Sequence, residues 1–110
     1  MIPLTTQEQY EELWFGRATH TVGPGPYLVW FSAKWCRPCQ QMDKALLEAA
    51  ASRAGIPFYY CDETVNKYTP GYCDVRAFPT FMIFRPGAVV GTLTSSNTTV
   101  VARWIQNGGR

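Results

Sequence analysis

The sequence predicts an α/β fold, a central mixed β-sheet of four to five strands flanked by helices on both faces. Three observations carry this expectation. Tyr27-Leu28-Val29-Trp30-Phe31 is a continuous apolar run of strand length, and a strand apolar on both faces is buried on both, as in a sheet covered by helices. Strand-like runs then alternate with segments rich in helix formers, and the last two are joined by a short turn. The 110 residues fit a single domain spanning 1–110, with 46% apolar and 15% aromatic residues to build its core.

Each element has a local cause. Ile2 to Leu4 reads as a short edge strand. Thr5 with Glu8, or Thr6 with Gln9, forms a capping box that opens a helix. Tyr10, Leu13 and Trp14 follow at helical spacing, and Gly16 ends the run. His20 to Pro26 contains Gly23-Pro24-Gly25-Pro26 and is loop. After the Tyr27–Phe31 strand, Gln40 to Ala54 is rich in Ala, Leu, Glu, Lys and Gln, which predicts one helix stopped by Gly55. Pro38 falls in its first turn, where the missing N–H costs nothing. Pro57 to Cys61 is a second buried strand, and Thr64 to Cys73, broken at Pro70-Gly71, holds a short helix. Thr80–Phe84 and Val89–Leu93 bracket Arg85-Pro86-Gly87 as a hairpin. Asn97 or a nearby Ser caps a last helix with Val100, Val101, Trp104 and Ile105 on one face. The order is β-α-β-α-β-(α)-β-β-α.

Composition excludes several function classes. Net charge is +2, and the ten basic residues are scattered without a run, so neither a nucleic-acid stripe nor a membrane-surface patch is expected. The apolar stretches are far shorter than the ~20 residues of a transmembrane helix. Met1 to Thr6 lacks the charged start and apolar run of a signal peptide, so a cytoplasmic location is the default. Four cysteines are too few for a disulfide framework in so apolar a chain. In a reducing compartment a close pair signals catalysis or metal.

That pair is Cys36 and Cys39, in Trp35-Cys36-Arg37-Pro38-Cys39 at a strand-to-helix junction. A free cysteine titrates near ~8.5, and unpaired N–H groups at a helix start raise its thiolate fraction. Two cysteines within one turn supply a reactive sulfur and a second that attacks a disulfide formed on the first. Structural zinc wants four ligands from two close pairs, whereas Cys61 and Cys73 stand twelve apart and His20 is isolated, so no metal site is expected. Cys61 reads as a small core residue at the end of a strand. Cys73, six residues before Pro79, is expected at the surface.

Phe31-Ser32-Ala33-Lys34-Trp35-Cys36-Arg37-Pro38-Cys39 and the later Phe78-Pro79-Thr80 resemble the thioredoxin family, and the resemblance covers essentially the whole chain. It implies a thioredoxin fold and a thiol-disulfide oxidoreductase that reduces protein disulfides. Cys36 would attack and Cys39 would resolve the mixed disulfide. Pro79 would be the family's cis proline, which keeps metal from the sulfurs and exposes the backbone of Phe78 for pairing with an extended substrate. Thr80 would help orient that substrate, while Trp35, Arg37 and Pro38 shape the rim. The resemblance implies no bound cofactor beyond the redox-active Cys36–Cys39 disulfide. Electrons would come from a flavin- and NADPH-dependent disulfide reductase, so the partners are that reductase and protein disulfides. Some animal members pair intermolecularly through a cysteine at the spacing of Cys73, so the resemblance implies a monomer that Cys73 could link into a dimer.

Four residues depart from the family pattern. Trp30 stands where a buried Asp is usual and Phe58 where its Lys partner is, an aromatic replacement that resembles the tryparedoxin and nucleoredoxin branch. The proton of Cys39 is then expected to pass to water or to the departing substrate thiolate. Arg37 replaces a Gly, which favours the Cys36 thiolate and acidic partners. Thr94 replaces a Gly and narrows the substrate groove, and Phe78 replaces a smaller residue. Two other functions fit the same fold: a redox-independent protein-interaction module, and a disulfide oxidase or isomerase. Pro38 and the lack of a signal peptide argue against the oxidase.

Overall fold

The structure, a computed structural model, describes residues 1–17 and 25–110; His20 and most of the predicted His20–Pro26 loop lie outside the described residues. In chain order it contains β1 (Ile2–Pro3), α1 (Gln7–Trp14), β2 (Tyr27–Ser32), α2 (Arg37–Gln40), α3 (Lys44–Ala54), β3 (Phe58–Asp62), α4 (Tyr68–Tyr72), β4 (Thr80–Arg85), β5 (Ala88–Thr94) and α5 (Thr98–Gln106). The strands form one mixed sheet in the order β1-β3-β2-β4-β5. β1 and β2 run parallel to β3, whereas β4 is antiparallel to both β2 and β5.

β2 is buried at every position, as its unbroken apolar run requires. Alternation along the strands sorts the side chains into two cores. Leu28, Trp30, Phe58, Phe81 and Ile83 meet Leu47 and Ala51 of α3 and Val101 and Ile105 of α5. Val29, Phe31, Tyr59, Cys61, Met82 and Phe84 meet Tyr10 and Leu13 of α1 on the opposite face. Helices therefore cover both faces, as expected.

Helix ends follow the local chemistry. Of the two candidate capping boxes, Thr6 with Gln9 forms: the Gln9 N–H donates to Thr6 Oγ1 at 3.2 Å, and Gln9 Oε1 accepts from the Thr6 N–H at 3.1 Å. Asn97 caps α5 by accepting from the Val100 N–H at 3.1 Å. The predicted single helix over Gln40–Ala54 is instead two, α2 and α3, interrupted at residues 41–43. Asp43 is the reason. Its carboxylate accepts from the Leu46 N–H at 3.1 Å and starts a new helix, the usual competition of Asp with the helical ladder. The Asp43 N–H is satisfied by Thr98 Oγ1 at 3.2 Å, so the break is tied to the start of α5. The short helix α4 runs through Pro70-Gly71 rather than breaking there, because Pro70 occupies the first turn, where no intrahelical N–H is needed.

A glycine is sterically required at Gly91. A Cβ there would run into the Gly109 carbonyl and press on the Trp104 ring, so the C-terminal turn closes directly over β5.

The N-terminal segment and the loop into α4 are joined by one buried side chain. Asn66 is 4% exposed. Its Nδ2 donates to the Leu4 carbonyl at 3.2 Å and to Thr69 Oγ1 at 2.8 Å, while its Oδ1 accepts from the Thr69 N–H at 3.2 Å. Asn66→Ala orphans the Leu4 carbonyl and the Thr69 N–H, and an unpaired buried backbone group costs about 1–3 kcal/mol. The expected result is a lower midpoint of urea unfolding with an unchanged slope.

Candidate active site

β2 ends at Ser32, and the chain turns through Ala33, Lys34 and Trp35 into α2. The Cys36 N–H donates to the Ala33 carbonyl at 3.1 Å. Cys36 has extended backbone angles and is the N-cap of α2, with its Sγ accepting from the Cys39 N–H at 3.3 Å. Pro38 occupies the first turn and is exposed. One turn on, Cys39 faces inward and is joined to Cys36 by a disulfide, with Cα atoms 5.3 Å apart. Both sulfur-bearing residues are almost wholly buried, at 4% and 1% exposure.

The later motif arrives at the same place through the sheet. Thr80 pairs in register with Phe31 of β2 and with Thr94 of β5. Its hydroxyl donates to the Ala77 carbonyl at 2.7 Å and lies 2.8 Å from the Thr94 hydroxyl. The Phe78–Pro79 bond is cis. Phe78 packs against Ala33, Cys36 and Cys39 and stands outside the sheet ladder, which begins at Thr80. The structure thus joins the Cys36–Cys39 pair to Phe78. Trp35 leans on Phe78 edge to face at 5.5 Å while remaining 65% exposed. Arg37 and Thr94 are exposed beside them.

One contact of this rim has no precursor in the sequence pattern. Trp35 Nε1 donates to Glu63 Oε2 at 3.0 Å, across a separation of 28 residues. Nothing local to Glu63 marks it. Only the pairing of β2 with β3 brings it there, through the Glu63 N–H donating to the Ser32 carbonyl at 2.8 Å.

Beneath the site, Trp30 is completely buried. Its indole stacks on Phe58 at 6.3 Å and on Phe81 at 5.5 Å, with Tyr60 edge-on at 5.3 Å. The two positions where the resemblance expects a buried acid and its lysine therefore hold one aromatic slab.

The remaining cysteines are packing residues. Burial, reinforced by the nearby Cys73 and Asp62, pushes the Cys61 thiol up to about 12. Cys73 departs from its expected surface position: it is half-buried, at the end of α4, and turns into the core beside Tyr10. Burial raises its thiol and a hydrogen bond from Tyr10 partly opposes this. Trp14 and Trp104 pack against the two cores as expected; Phe15, just past α1, is 56% exposed, with the Arg17 guanidinium 4.9 Å from its ring centroid. Among the described residues no group of three or more His, Cys, Asp or Glu side chains is arranged to hold a metal, and no helix is long and apolar enough to cross a membrane.

Comparison with known proteins agrees with this geometry. The Thioredoxin family model matches residues 8–107. Thioredoxin from Rhodospirillum rubrum is 36% identical over 74% of this chain and 81% of its own length. Mitochondrial thioredoxin-3 of Saccharomyces cerevisiae is 29% identical over 70% of this chain, and chloroplastic thioredoxin M2 of Arabidopsis thaliana is 39% identical over 66%. The matched part spans less than two thirds of those two relatives, 61% and 44% of their lengths. The crystal structure of Fasciola hepatica thioredoxin superposes over 100% of both chains, with a TM-score of 0.80 and 25% identity. With the fold, the bonded Cys36–Cys39 pair and the family model in agreement, the chain belongs to the thioredoxin family.

Proposed function

We propose that the chain works in the reducing direction, transferring two electrons from the Cys36–Cys39 dithiol to disulfides of other proteins. The observation that carries this reading is the placement of the bonded pair at the start of α2, against Phe78, whose bond to Pro79 is cis. Cys36 is the attacking sulfur, because it sits at the cap position where a backbone N–H already points at its Sγ and because exchange rates follow thiolate fraction. Cys39 resolves from inside the helix. Phe78, outside the ladder, offers its backbone to an extended substrate segment in a short β-augmentation. Trp35 supplies an apolar wall, and Thr80 with Thr94 borders the groove.

Reoxidised protein needs an external electron donor, and a flavin- and NADPH-dependent disulfide reductase fits that need by analogy within the family. The chemistry suits a reducing compartment such as the cytoplasm. A Cys73-linked dimer does not suit the half-buried thiol of Cys73, which supports a monomer over that dimer.

Three outcomes test this. Cys39→Ser stalls as a mixed disulfide on Cys36, and mass spectrometry of captured partners should show acidic segments flanking the trapped cysteine; capture of nothing from a lysate rejects reductive turnover. Arg37 is exposed, so its effect on the pair is screened, yet it still favours the thiolate and hence the reduced form. Arg37→Gly should lower the reduction potential by roughly 10–30 mV, given that 30 mV corresponds to about 1.4 kcal/mol; equal potentials rule the effect out. A thiol titrating at about 12, as Cys61 does, is only about 0.01% thiolate at pH 8. Iodoacetamide at that pH should therefore label reduced Cys36 and leave Cys61 unmodified until the protein unfolds.

A further inference from the structure

The Cys36–Cys39 disulfide exchanges only when an incoming thiolate reaches a sulfur, and displacement at sulfur runs in line with the bond that breaks. Cys36 is 4% exposed and Cys39 1%, so that approach is closed until a neighbour moves. Ala33 is buried and bonded to Cys36 through its carbonyl, and Cys39 is held inside α2. The neighbour with the fewest ties is Phe78.

Phe78 is half-buried and lies outside the strand registers, which begin at Thr80. Among the described residues it is the one partly buried apolar side chain that packs against the Ala33–Cys36–Cys39 cluster. It also rests on the core that contains Val29, Phe31 and Met82. Trp35 meets its ring edge to face at 5.5 Å, with the two planes 85° apart. Trp35 is 65% exposed, yet its Nε1 is tied to Glu63 Oε2 at 3.0 Å. Glu63 is placed in turn by its own N–H, which donates to the Ser32 carbonyl at 2.8 Å. A large exposed indole is therefore held from two sides, and it is held against the ring beside the disulfide.

We propose that the Phe78 ring screens the disulfide from small thiols, and that Glu63 is a positioning residue that keeps the screen closed through Trp35. This deepens the reading of the site as one for protein disulfides and rests on it. A protein that lays an extended segment along the Phe78 backbone gains binding energy there. Binding energy gained away from the reacting atoms can be used to move the ring. A small dithiol has no such segment and meets the closed screen. Phe78 is thus specificity-determining: it favours macromolecular partners over small thiols of the same chemistry.

Dithiothreitol is the probe. One of its sulfurs, as a thiolate, attacks Cys36 Sγ; the Cys36–Cys39 bond breaks, and Cys39 leaves with the bonding pair and takes a proton. The second dithiothreitol sulfur, also as a thiolate, attacks the first, closing the cyclic disulfide and releasing Cys36. Two electrons and two protons pass from the reagent to the protein, the protons by way of solvent. A screen obstructs this path in both directions, because both cross the same transition state. A change in reduction potential instead moves one direction relative to the other.

Acid-quenched samples, alkylated and weighed by mass spectrometry, give two rates at one pH: reduction of the oxidised protein by dithiothreitol, and oxidation of the reduced protein by the cyclic disulfide. Phe78→Ala should raise both by the same factor, about threefold or more, since an edge-to-face pair alone shifts an opening equilibrium by about two- to tenfold. Phe78→Leu keeps apolar bulk but loses the aromatic pair and should fall between; it carries the test if the alanine variant does not fold. Glu63→Ala should raise both rates about twofold by releasing Trp35, while Glu63→Gln keeps an oxygen for the indole and stays at the wild-type rates. Phe78 variants within about 1.5-fold of wild type overturn the screen, because that is less than an aromatic pair contributes. So does a rise in one direction matched by a fall in the other, which marks a shifted potential. Equal rates in Glu63→Ala and Glu63→Gln overturn the positioning role of Glu63. A wild type that exchanges with dithiothreitol yet reduces no insulin disulfide would instead overturn the reductase reading itself.

Discussion

Everything at the site depends on β2 being hydrogen-bonded on both edges and covered on both faces. Its six residues are all buried, paired to β3 on one side and β4 on the other. A strand so constrained has one register, since a slip by one residue would exchange the residues of the two cores. The fixed register delivers Ala33 and then Cys36 to one spot at the strand's end. β4, paired to the same strand, brings Thr80 and with it Phe78-Pro79 alongside. Two motifs some forty residues apart in the chain meet because both are anchored to the same strand, β2.

The same strand shows a trade between packing and acid–base chemistry. Trp30, Phe58 and Phe81 form stacked contacts that bury large apolar area, and aromatic pairs of this kind contribute about 0.5–1.5 kcal/mol beyond the area itself. A carboxylate at position 30 would instead have to be paired or held neutral. The slab is not free of polar cost, because Trp30 Nε1 is buried without a partner among the described residues. What it removes is a group able to exchange protons directly under the site.

Much of this was legible in the residues. The apolar runs of β2 and β4, the capping residues Thr6 and Asn97, and the paired motifs around Cys36 and Pro79 each act locally, so local reading recovers them. The break between α2 and α3 did not stand out against a stretch of strong helix formers. The signal was Asp43 three residues before Leu46, a side-chain cap whose companion, Thr98, is supplied from 55 residues away. Glu63 against Trp35 was invisible for a different reason: it depends on which residues of two parallel strands lie side by side, and no spacing within either strand encodes that. Cys73 turned inward because α4 runs through Pro70-Gly71 and presents its end to Tyr10.

The cap of α2 is made by the sulfur that undergoes exchange. In the disulfide that sulfur is a weak, neutral acceptor; as a thiolate it accepts the same N–H with full charge, and charge-assisted hydrogen bonds are roughly twice as strong. The local stability of a four-residue helix and the reducing power of the protein are therefore two readings of one equilibrium. Whatever steadies α2 when the dithiol forms also makes the dithiol a poorer electron donor. Any change in the α2 turn that alters how well its backbone reaches Cys36 will retune the potential without touching either cysteine.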